Sequence, residues 1–135
     1  VRRQIFEDPV LRVRYEALLH PAIAEQAQLQ LDAARQQNVV LAVYMAPLLF
    51  ETGAHQRVGT QENWVVSTSL EVQRERLLRR DRCSQEQAEQ IMAAQMPLAE
   101  KIRRADLVID NSGSLDETRQ QVLDAWDERI APYVR

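Results

Sequence analysis

The first part of the chain repeats apolar residues at a helical spacing. Asp8-Pro9 predicts a helix start, because Asp caps helices and Pro suits the first helical position. An apolar stripe then follows at i, i+4 and i+7, made of Leu11, Tyr15 and Leu18. We expect Pro21 to interrupt this helix and to begin a second one, which Asn38 ends.

The next pattern is a continuous apolar run from Val39 to Met45. A strand that is apolar on both faces belongs inside a sheet covered on both sides, as in parallel α/β proteins. We therefore expect a buried strand here and an irregular segment over residues 46–61. Trp64–Ser67 and Leu107–Ile109 are predicted to form two further strands.

Three capping boxes predict helices between and after these strands. They are Thr68–Glu71, opening a helix through about residue 80, then Ser84–Gln87 and Ser114–Glu117. Pro97 is expected to open a short helix that ends near Arg104. The closing helix is predicted to face inward through Leu115, Val122, Trp126 and Ile130.

This order of elements predicts an α/β fold with a parallel sheet. Three strands covered on both faces leave two unpaired edges, and at least one edge should be covered or paired. The sheet therefore reads as incomplete, and we expect the chain to be part of a larger fold.

Composition narrows the class of protein. The chain has 135 residues, enough for one domain, and its 17 basic and 20 acidic residues give a net charge of −3, which does not favour a nucleic-acid binder. The single cysteine, Cys83, cannot form an intrachain disulfide. The longest apolar run falls short of the roughly 20 residues that cross a bilayer, and the amino terminus does not resemble a signal peptide. We expect a soluble, cytoplasmic protein.

Two common phosphate-binding loops are absent from the sequence. With three glycines and one lysine, Lys101, the sequence contains neither a Gly-Lys-Ser/Thr phosphate loop nor a Gly-x-Gly-x-x-Gly motif. His20 and His55 are far apart in the sequence, and Cys83 has no second ligand at the spacing typical of a metal site. The sequence therefore does not indicate a metal site.

Four local motifs, in this order and spacing, resemble the dephospho-CoA kinase family. They are Glu16–Pro21, Ala46–Glu51, the segment from Gln73 through Arg76 and Arg80 to Gln95, and Ala105–Ser114. The resemblance implies a P-loop kinase fold with a parallel sheet core, a helical substrate domain and a helical lid. The family begins with a strand and a glycine-rich phosphate loop, and we expect this chain to start after them.

The resemblance also implies how the chain is organised. Residues 1–37 would form the helical CoA-substrate region, 38–67 a part of the core sheet, 68–104 the lid-type helices, and 105–135 a core strand with the closing helix. The implied reaction transfers the γ-phosphoryl group of ATP, with Mg²⁺, to the ribose 3′-hydroxyl of dephospho-CoA. The expected partners are thus dephospho-CoA and ATP, with neither nucleic acid nor membrane, and this chain alone is expected to be inactive.

Site residues carried over from the family fall into three groups. The resemblance implies that substrate is bound by His20, Pro21, Pro47 and Glu51. It makes Arg76 and Arg80 the catalytic lid arginines that contact ATP phosphates. It makes Asn111 and Gly113 ATP-binding residues, with Asn111 near the adenine.

Each group also has a purely structural interpretation. His20-Pro21 could equally be a simple helix break. The functional alternative is a helix start whose free amides hold an anion. Leu48 and Leu49 suit a loop that closes the core, and an arginine run is most often a solvated helix face. Asn111 or Gly113 could simply occupy a turn at positive φ. Two alternative functions stay open. One is a non-catalytic module, derived from the same fold, that binds a nucleotide or a partner. The other is a related nucleoside or nucleotide kinase.

Overall fold

The computed structural model describes residues 8–134, and the chain divides into two compact units, residues 1–58 and 59–135. The helices of the first unit are α1 (Pro9–Gln36) and α2 (Ala54–Val58). The elements of the second unit are β1 (Trp64–Ser67), α3 (Leu70–Asp81), α4 (Gln85–Ala93), α5 (Leu98–Arg104), β2 (Leu107–Asp110) and α6 (Leu115–Ala125). A π-helical turn (Trp126–Ile130) and a 3₁₀ turn (Ala131–Tyr133) follow α6.

Helix α1 begins as predicted but does not break at Pro21. The Asp8 carboxylate accepts hydrogen bonds from the amides of Val10 and Leu11 at 2.9 and 3.1 Å, which confirms the cap. Pro21 lies inside one continuous helix of 28 residues, so the predicted second helix start is wrong. The ring of proline fixes φ near a helical value. Inside a helix, proline removes one backbone hydrogen bond and crowds the preceding turn. A long helix keeps its remaining bonds on both sides of that residue.

The helix ends where the sequence predicted. Gln37 caps α1, its amide donating to the carbonyl of Ala33 at 3.1 Å. Asn38 then adopts φ +52°, in the left-handed region that Asn tolerates better than most residues. The asparagine thus confirms the predicted boundary.

Val39–Met45 is not the expected buried strand. The segment has no regular secondary structure, with a bend at Val40, and within residues 8–134 no strand pairs with it. Most of its side chains are exposed, and Val43 and Met45 keep 83% and 93% of their surface accessible. A segment becomes part of a sheet only through hydrogen bonds to a neighbouring strand. A hydrophobic sequence alone does not supply that strand.

A tight turn and the short helix α2 replace the irregular segment expected over residues 46–61. The Thr52 hydroxyl donates to the carbonyl of Leu48 at 2.8 Å. Phe50 and Ala54 are buried, and the Phe50 ring meets the ring of His55 edge-on, with 5.1 Å between centroids. The small core of the first unit therefore lies directly after the exposed apolar run.

The sheet of the second unit is a parallel pair. β1 pairs with β2 in the register Trp64↔Leu107 to Ser67↔Asp110. Only these two strands form within residues 8–134, against the three predicted. The strands themselves are confirmed, and Val65 and Ile109 are buried between the sheet and its helices. Before the strands, the Asp106 carboxylate accepts from the Asn63 backbone amide at 2.8 Å and ties their amino ends together.

Two of the three predicted capping boxes form. Ser84–Gln87 and Ser114–Glu117 make both reciprocal hydrogen bonds of the motif. The cap of α3 is shifted by one residue, because Ser69 rather than Thr68 accepts from the amide of Val72. The backbone amide of Ser69 is itself bound to the Ser112 hydroxyl, which anchors this helix start to the loop after β2.

The closing helix does not bury its apolar stripe. Leu115, Val122 and Trp126 are 72%, 42% and 41% exposed, Ile130 is half-buried, and the buried residue of α6 is Ala125. Polar side chains of α6, namely Thr118 and Gln121, hydrogen-bond instead to the end of β2. The prediction that the apolar stripe faces inward is wrong, because hydrogen bonds to the end of β2 orient this helix. The spacing of apolar residues carries no information about these hydrogen bonds.

Candidate functional site

The carboxyl ends of β1 and β2 carry two loops that are bonded to each other. The amide of Asn111 donates to the carbonyl of Ser67 at 2.7 Å and prolongs the ladder beyond the strands. Ser112 accepts from the Ser69 amide through its hydroxyl at 3.1 Å. In open α/β sheets ligands bind outside the carboxyl ends of the strands, so these loops define the candidate site.

Asp110 is fixed on its backbone and on its side chain. The Gln121 side chain accepts from the Asp110 amide and donates to the Asp110 carbonyl, both at 2.8 Å, and so closes the end of β2. The hydroxyl and backbone N–H of Ser112 hydrogen-bond the Asp110 carboxylate and hold its pKa below the ordinary value. Asp110 is therefore an ionised carboxylate at neutral pH.

Asn111 is bound from both neighbouring helices. The Arg76 guanidinium, on α3, donates through Nη1 to the Asn111 carbonyl at 2.8 Å. The Thr118 hydroxyl, on α6, lies 3.1 Å from Asn111 Oδ1. Neither Asn111 nor Gly113 has positive φ, so the turn interpretation based on left-handed backbone is wrong. The structure thus brings together two of the sequence-predicted residues, Arg76 and Asn111.

Gly113 permits a close approach of the Glu117 carboxylate. Ser114 donates to Glu117 Oε2 from its amide at 2.7 Å and from its hydroxyl at 2.8 Å. These backbone and hydroxyl bonds lower the pKa of Glu117. A Cβ on residue 113 would fall on that carboxylate, so a larger residue there would require the Glu117 side chain to shift.

A shallow groove of about 450 Å³ runs beside these loops. Its lining residues are Asp110, Gly113, Glu117, Gln120, Gln121 and Asp124. Three of the six are acidic, so the groove repels polyphosphate and suits a neutral, hydrogen-bonding group.

The arginines of α3 occupy different surroundings. Arg80 is 72% exposed and makes a two-point contact with the Asp81 carboxylate at 2.8 and 3.1 Å, and this hydrogen-bonded charge raises the pKa of Arg80. Arg74 buries its Nε, which has no hydrogen-bond partner among residues 8–134. Arg79 is exposed. Arg76, by contrast, is half-buried and holds the Asn111 loop.

The first unit contains the other predicted residues. His20 is half-buried in the middle of α1, so the proposed anion-binding helix start at His20-Pro21 is wrong, because the amides that follow it are inside a continuous helix. Pro47 and Glu51 are exposed on the turn before α2, while Leu48 and Leu49 are half-buried.

Sequence reasoning missed several residues that the structure brings together. A cavity of about 320 Å³ in the first unit is lined by Ala24, Ala27, Gln28, Tyr44, Ala54, Arg57 and Val58. In the second unit, Thr118 and Gln121 were missed. Their signal was present, because they fall four and seven positions after the Ser114 cap and so face the preceding loop.

Neither a metal cluster nor a membrane span is found in the described part of the chain. Among residues 8–134 no three His, Cys, Asp or Glu side chains are arranged to hold a metal ion, so the described residues do not form a protein-only Mg²⁺ site. The same residues contain no helix with the length and apolarity needed to cross a membrane.

These features define an α/β protein with a candidate ligand site at the carboxyl ends of parallel strands. A sequence model of the dephospho-CoA kinase family matches residues 1–117. The chain is 48% identical over 133 residues to dephospho-CoA kinase of Syntrophotalea carbinolica and 46% identical over 126 residues to that of Geobacter sulfurreducens, covering 98% and 93% of this chain. The chain belongs to the dephospho-CoA kinase family.

Solved structures agree with this assignment. The crystal structure of TT1252 from Thermus thermophilus is similar with a TM-score of 0.67 at 29% identity, covering 96% of this chain and 65% of that one. Dephospho-CoA kinase from Campylobacter jejuni is similar with a TM-score of 0.59 at 26% identity, covering 95% and 64%. The chain spans 62% and 63% of the length of the two relatives compared by sequence.

Proposed function

We propose that this chain is the acceptor-and-lid portion of an enzyme that transfers the γ-phosphoryl group of ATP to the ribose 3′-hydroxyl of dephospho-CoA. The observation that carries the proposal is the family match over residues 1–117, which includes all the motif residues singled out above. Residues 1–37, 68–104 and 105–135 keep the roles that the family resemblance gives them, whereas within residues 38–67 the sheet strand is Trp64–Ser67.

In this proposal the second unit binds ATP. Asn111 and Gly113 contact the adenine, and the acidic groove beside them favours a neutral base over phosphates. Arg80 is exposed on α3, where it could leave Asp81 for an anionic phosphate. Planar guanidinium groups bind phosphate through two parallel hydrogen bonds, which supports its assignment.

The first unit binds the acceptor. Pro47 and Glu51 are exposed beside the buried Phe50, on a turn that its own hydrogen bonds hold. Their accessibility supports a substrate contact, as does the position of His20 on α1 of the same unit. Pro21 contributes by shaping the backbone next to His20, since it cannot donate a hydrogen bond.

Catalysis of this kind depends mainly on alignment and on neutralising charge. Phosphoryl transfer leaves little covalent chemistry to the protein, so the residues hold donor and acceptor in line and place cations at the transferred group. The sequence contains no glycine-rich loop that could cradle the β- and γ-phosphates. We therefore infer that the 135-residue chain alone has no appreciable kinase activity.

Binding and turnover test this proposal separately. Isothermal titration of the purified chain with dephospho-CoA and with ADP should detect binding of each ligand. A coupled assay for ADP release should detect no turnover by the same preparation. Turnover within tenfold of an intact relative would refute the inferred inactivity, and failure to bind either ligand would refute the assignment of this chain to the substrate sites.

The alternative is a non-catalytic module that binds a nucleotide or a partner. Its supporting observation is the same absence of a phosphate loop in the sequence. Binding without turnover, even when the chain is preceded by the corresponding segment of a relative, would favour the module. A panel of nucleoside and nucleotide acceptors distinguishes the dephospho-CoA kinase and the non-catalytic module from a related kinase of different specificity.

A further inference from the structure

Resting on the proposed function, we propose that Thr118 and Arg76 are positioning residues, which fix Asn111 so that its side-chain amide nitrogen presents a hydrogen-bond donor to the base. The ligand group that this donor fits is a ring nitrogen acceptor of a purine. Thr118 belongs to none of the motifs that resemble the family, and the family resemblance gave Arg76 a different role, as a phosphate contact.

The carrying observation is the set of contacts around Asn111. Its amide donates to Ser67, its carbonyl accepts from Arg76, and its Oδ1 lies within hydrogen-bond distance of Thr118. Three of its four polar groups are thus bound by protein. Nδ2 has no hydrogen-bond partner among residues 8–134, so it is the group left for a ligand.

Thr118 restrains the side-chain torsion of Asn111. An unrestrained Asn amide samples a broad range about its terminal torsion. The Thr118 hydroxyl lies 3.1 Å from both Asn111 Oδ1 and the Ser114 carbonyl, four residues back in the helix. The hydroxyl has a single proton, which we assign to Asn111 Oδ1 rather than to the Ser114 carbonyl. Because α6 fixes the backbone of Thr118, that bond holds the amide in one orientation. Removing the hydroxyl frees the torsion without removing any group from the proposed ligand contact.

Arg76 restrains the backbone of Asn111. Its guanidinium carries a formal charge, and hydrogen bonds from charged donors are stronger than neutral ones. The bond of 2.8 Å links α3 to the loop after β2, so movement of either element would displace the Asn111 carbonyl. Arg76 therefore acts on the base through Asn111, and any effect on phosphate binding would be secondary.

The first test compares two variants of one hydroxyl. Thr118→Val preserves the shape of the side chain but removes its hydroxyl, whereas Thr118→Ser retains the hydroxyl. By nuclear magnetic resonance titration of the chain, Thr118→Val should weaken ADP binding about three- to tenfold, the effect of one hydrogen bond. Thr118→Ser should stay within about twofold of the unsubstituted chain, and binding of tripolyphosphate, which has no base, should be unchanged in both.

The second test uses two arginines of one helix. Arg76→Met should weaken ADP binding by a similar factor, with tripolyphosphate affected much less. Arg79→Met removes the same charge from an exposed position of α3 and should affect both ligands little. A larger loss for tripolyphosphate than for ADP in Arg76→Met would overturn the positioning role in favour of a phosphate contact.

A readout without ligand keeps the proposal testable on its own. In the ligand-free chain, ¹⁵N relaxation of the Asn111 side-chain amide should show a rigid group that becomes mobile in Thr118→Val but not in Thr118→Ser. Equal mobility in all three proteins would overturn the proposal. So would equal loss of melting temperature and of affinity for both ligands in the two Thr118 variants.

An Asn111→Ala variant separates this proposal from the proposed function. If Asn111→Ala weakens ADP binding and Thr118→Val does not, the positioning role is wrong while the adenine site stands. If Asn111→Ala leaves ADP binding unchanged, the adenine contact of the proposed function is itself wrong, and this proposal fails with it.

Discussion

Replacement of Ile109 tests the placement of the core behind the candidate site. Ile109 is 3% exposed on β2, directly before the two residues whose contacts define the site. Ile109→Ala removes about three buried carbon groups and leaves a cavity, which in comparable cores costs about 2–5 kcal/mol of unfolding free energy. Ile109→Val removes one carbon and should cost about 0.5–1.5 kcal/mol.

The sheet supplies a matched control for this experiment. Val66 is the register partner of Ile109 on β1 but is 62% exposed. Val66→Ala should cost at most about 1 kcal/mol, the span of strand propensity. Urea unfolding followed by circular dichroism measures all three variants, and Ile109→Val keeps the comparison measurable if Ile109→Ala fails to fold. An equal loss for Val66→Ala and Ile109→Ala would refute the described packing.

Three further predictions concern the polar groups around the loop and α3. Because Asp110 and Glu117 have lowered pKa values when folded, their stabilising contribution is complete above about pH 4.3 and is lost as pH falls through the lowered values. Urea midpoints should therefore decrease as the pH falls below the ordinary pKa values of these two carboxylates, and a flat profile would contradict these bonds. Gly113→Ala should displace the Glu117 carboxylate and lower the melting temperature, whereas an unchanged melting temperature would show that the close approach is unimportant. Asp81→Asn should release Arg80 and tighten tripolyphosphate binding, most at low salt, and no change in affinity would count against Arg80 as a phosphate contact.

Local signals of the sequence predicted most of the second unit. Capping residues act through hydrogen bonds to amides two or three positions away, so Ser84 and Ser114 specify helix starts without help from the rest of the fold. Short apolar runs predict the strands Trp64–Ser67 and Leu107–Ile109, and the second strand extends one residue further, to Asp110. Both kinds of signal depend on neighbours in sequence.

Two of the failures share one cause, which is dependence on partners outside the segment itself. The apolar run Val39–Met45 predicts a strand only if another strand lies beside it, and its exposure shows that hydrophobicity alone does not supply one. Pro21 is a separate case, because a continuous helix of 28 residues contains it despite the hydrogen bond that proline cannot donate. The inward face of α6 is set by its bonds to β2, which apolar spacing cannot report.

The site was predicted in part for the same reason. Family resemblance singled out Asn111 and Arg76 separately, and only the fold shows that one holds the other at 2.8 Å. Thr118 is an ordinary helix residue in the sequence. Its significance follows from the 3.1 Å between its hydroxyl and Asn111 Oδ1, a distance that requires both α6 and the loop after β2 to be in place.

The most direct test of the central claim is turnover by this chain when it is preceded by the part of Syntrophotalea carbinolica dephospho-CoA kinase that lies before the matched region. With Mg-ATP, the joined protein should convert dephospho-CoA into CoA, with phosphate on the ribose 3′-oxygen, and should prefer dephospho-CoA to simple nucleosides. A folded protein that binds ADP and dephospho-CoA but forms no CoA would contradict the claim that these residues complete a dephospho-CoA kinase.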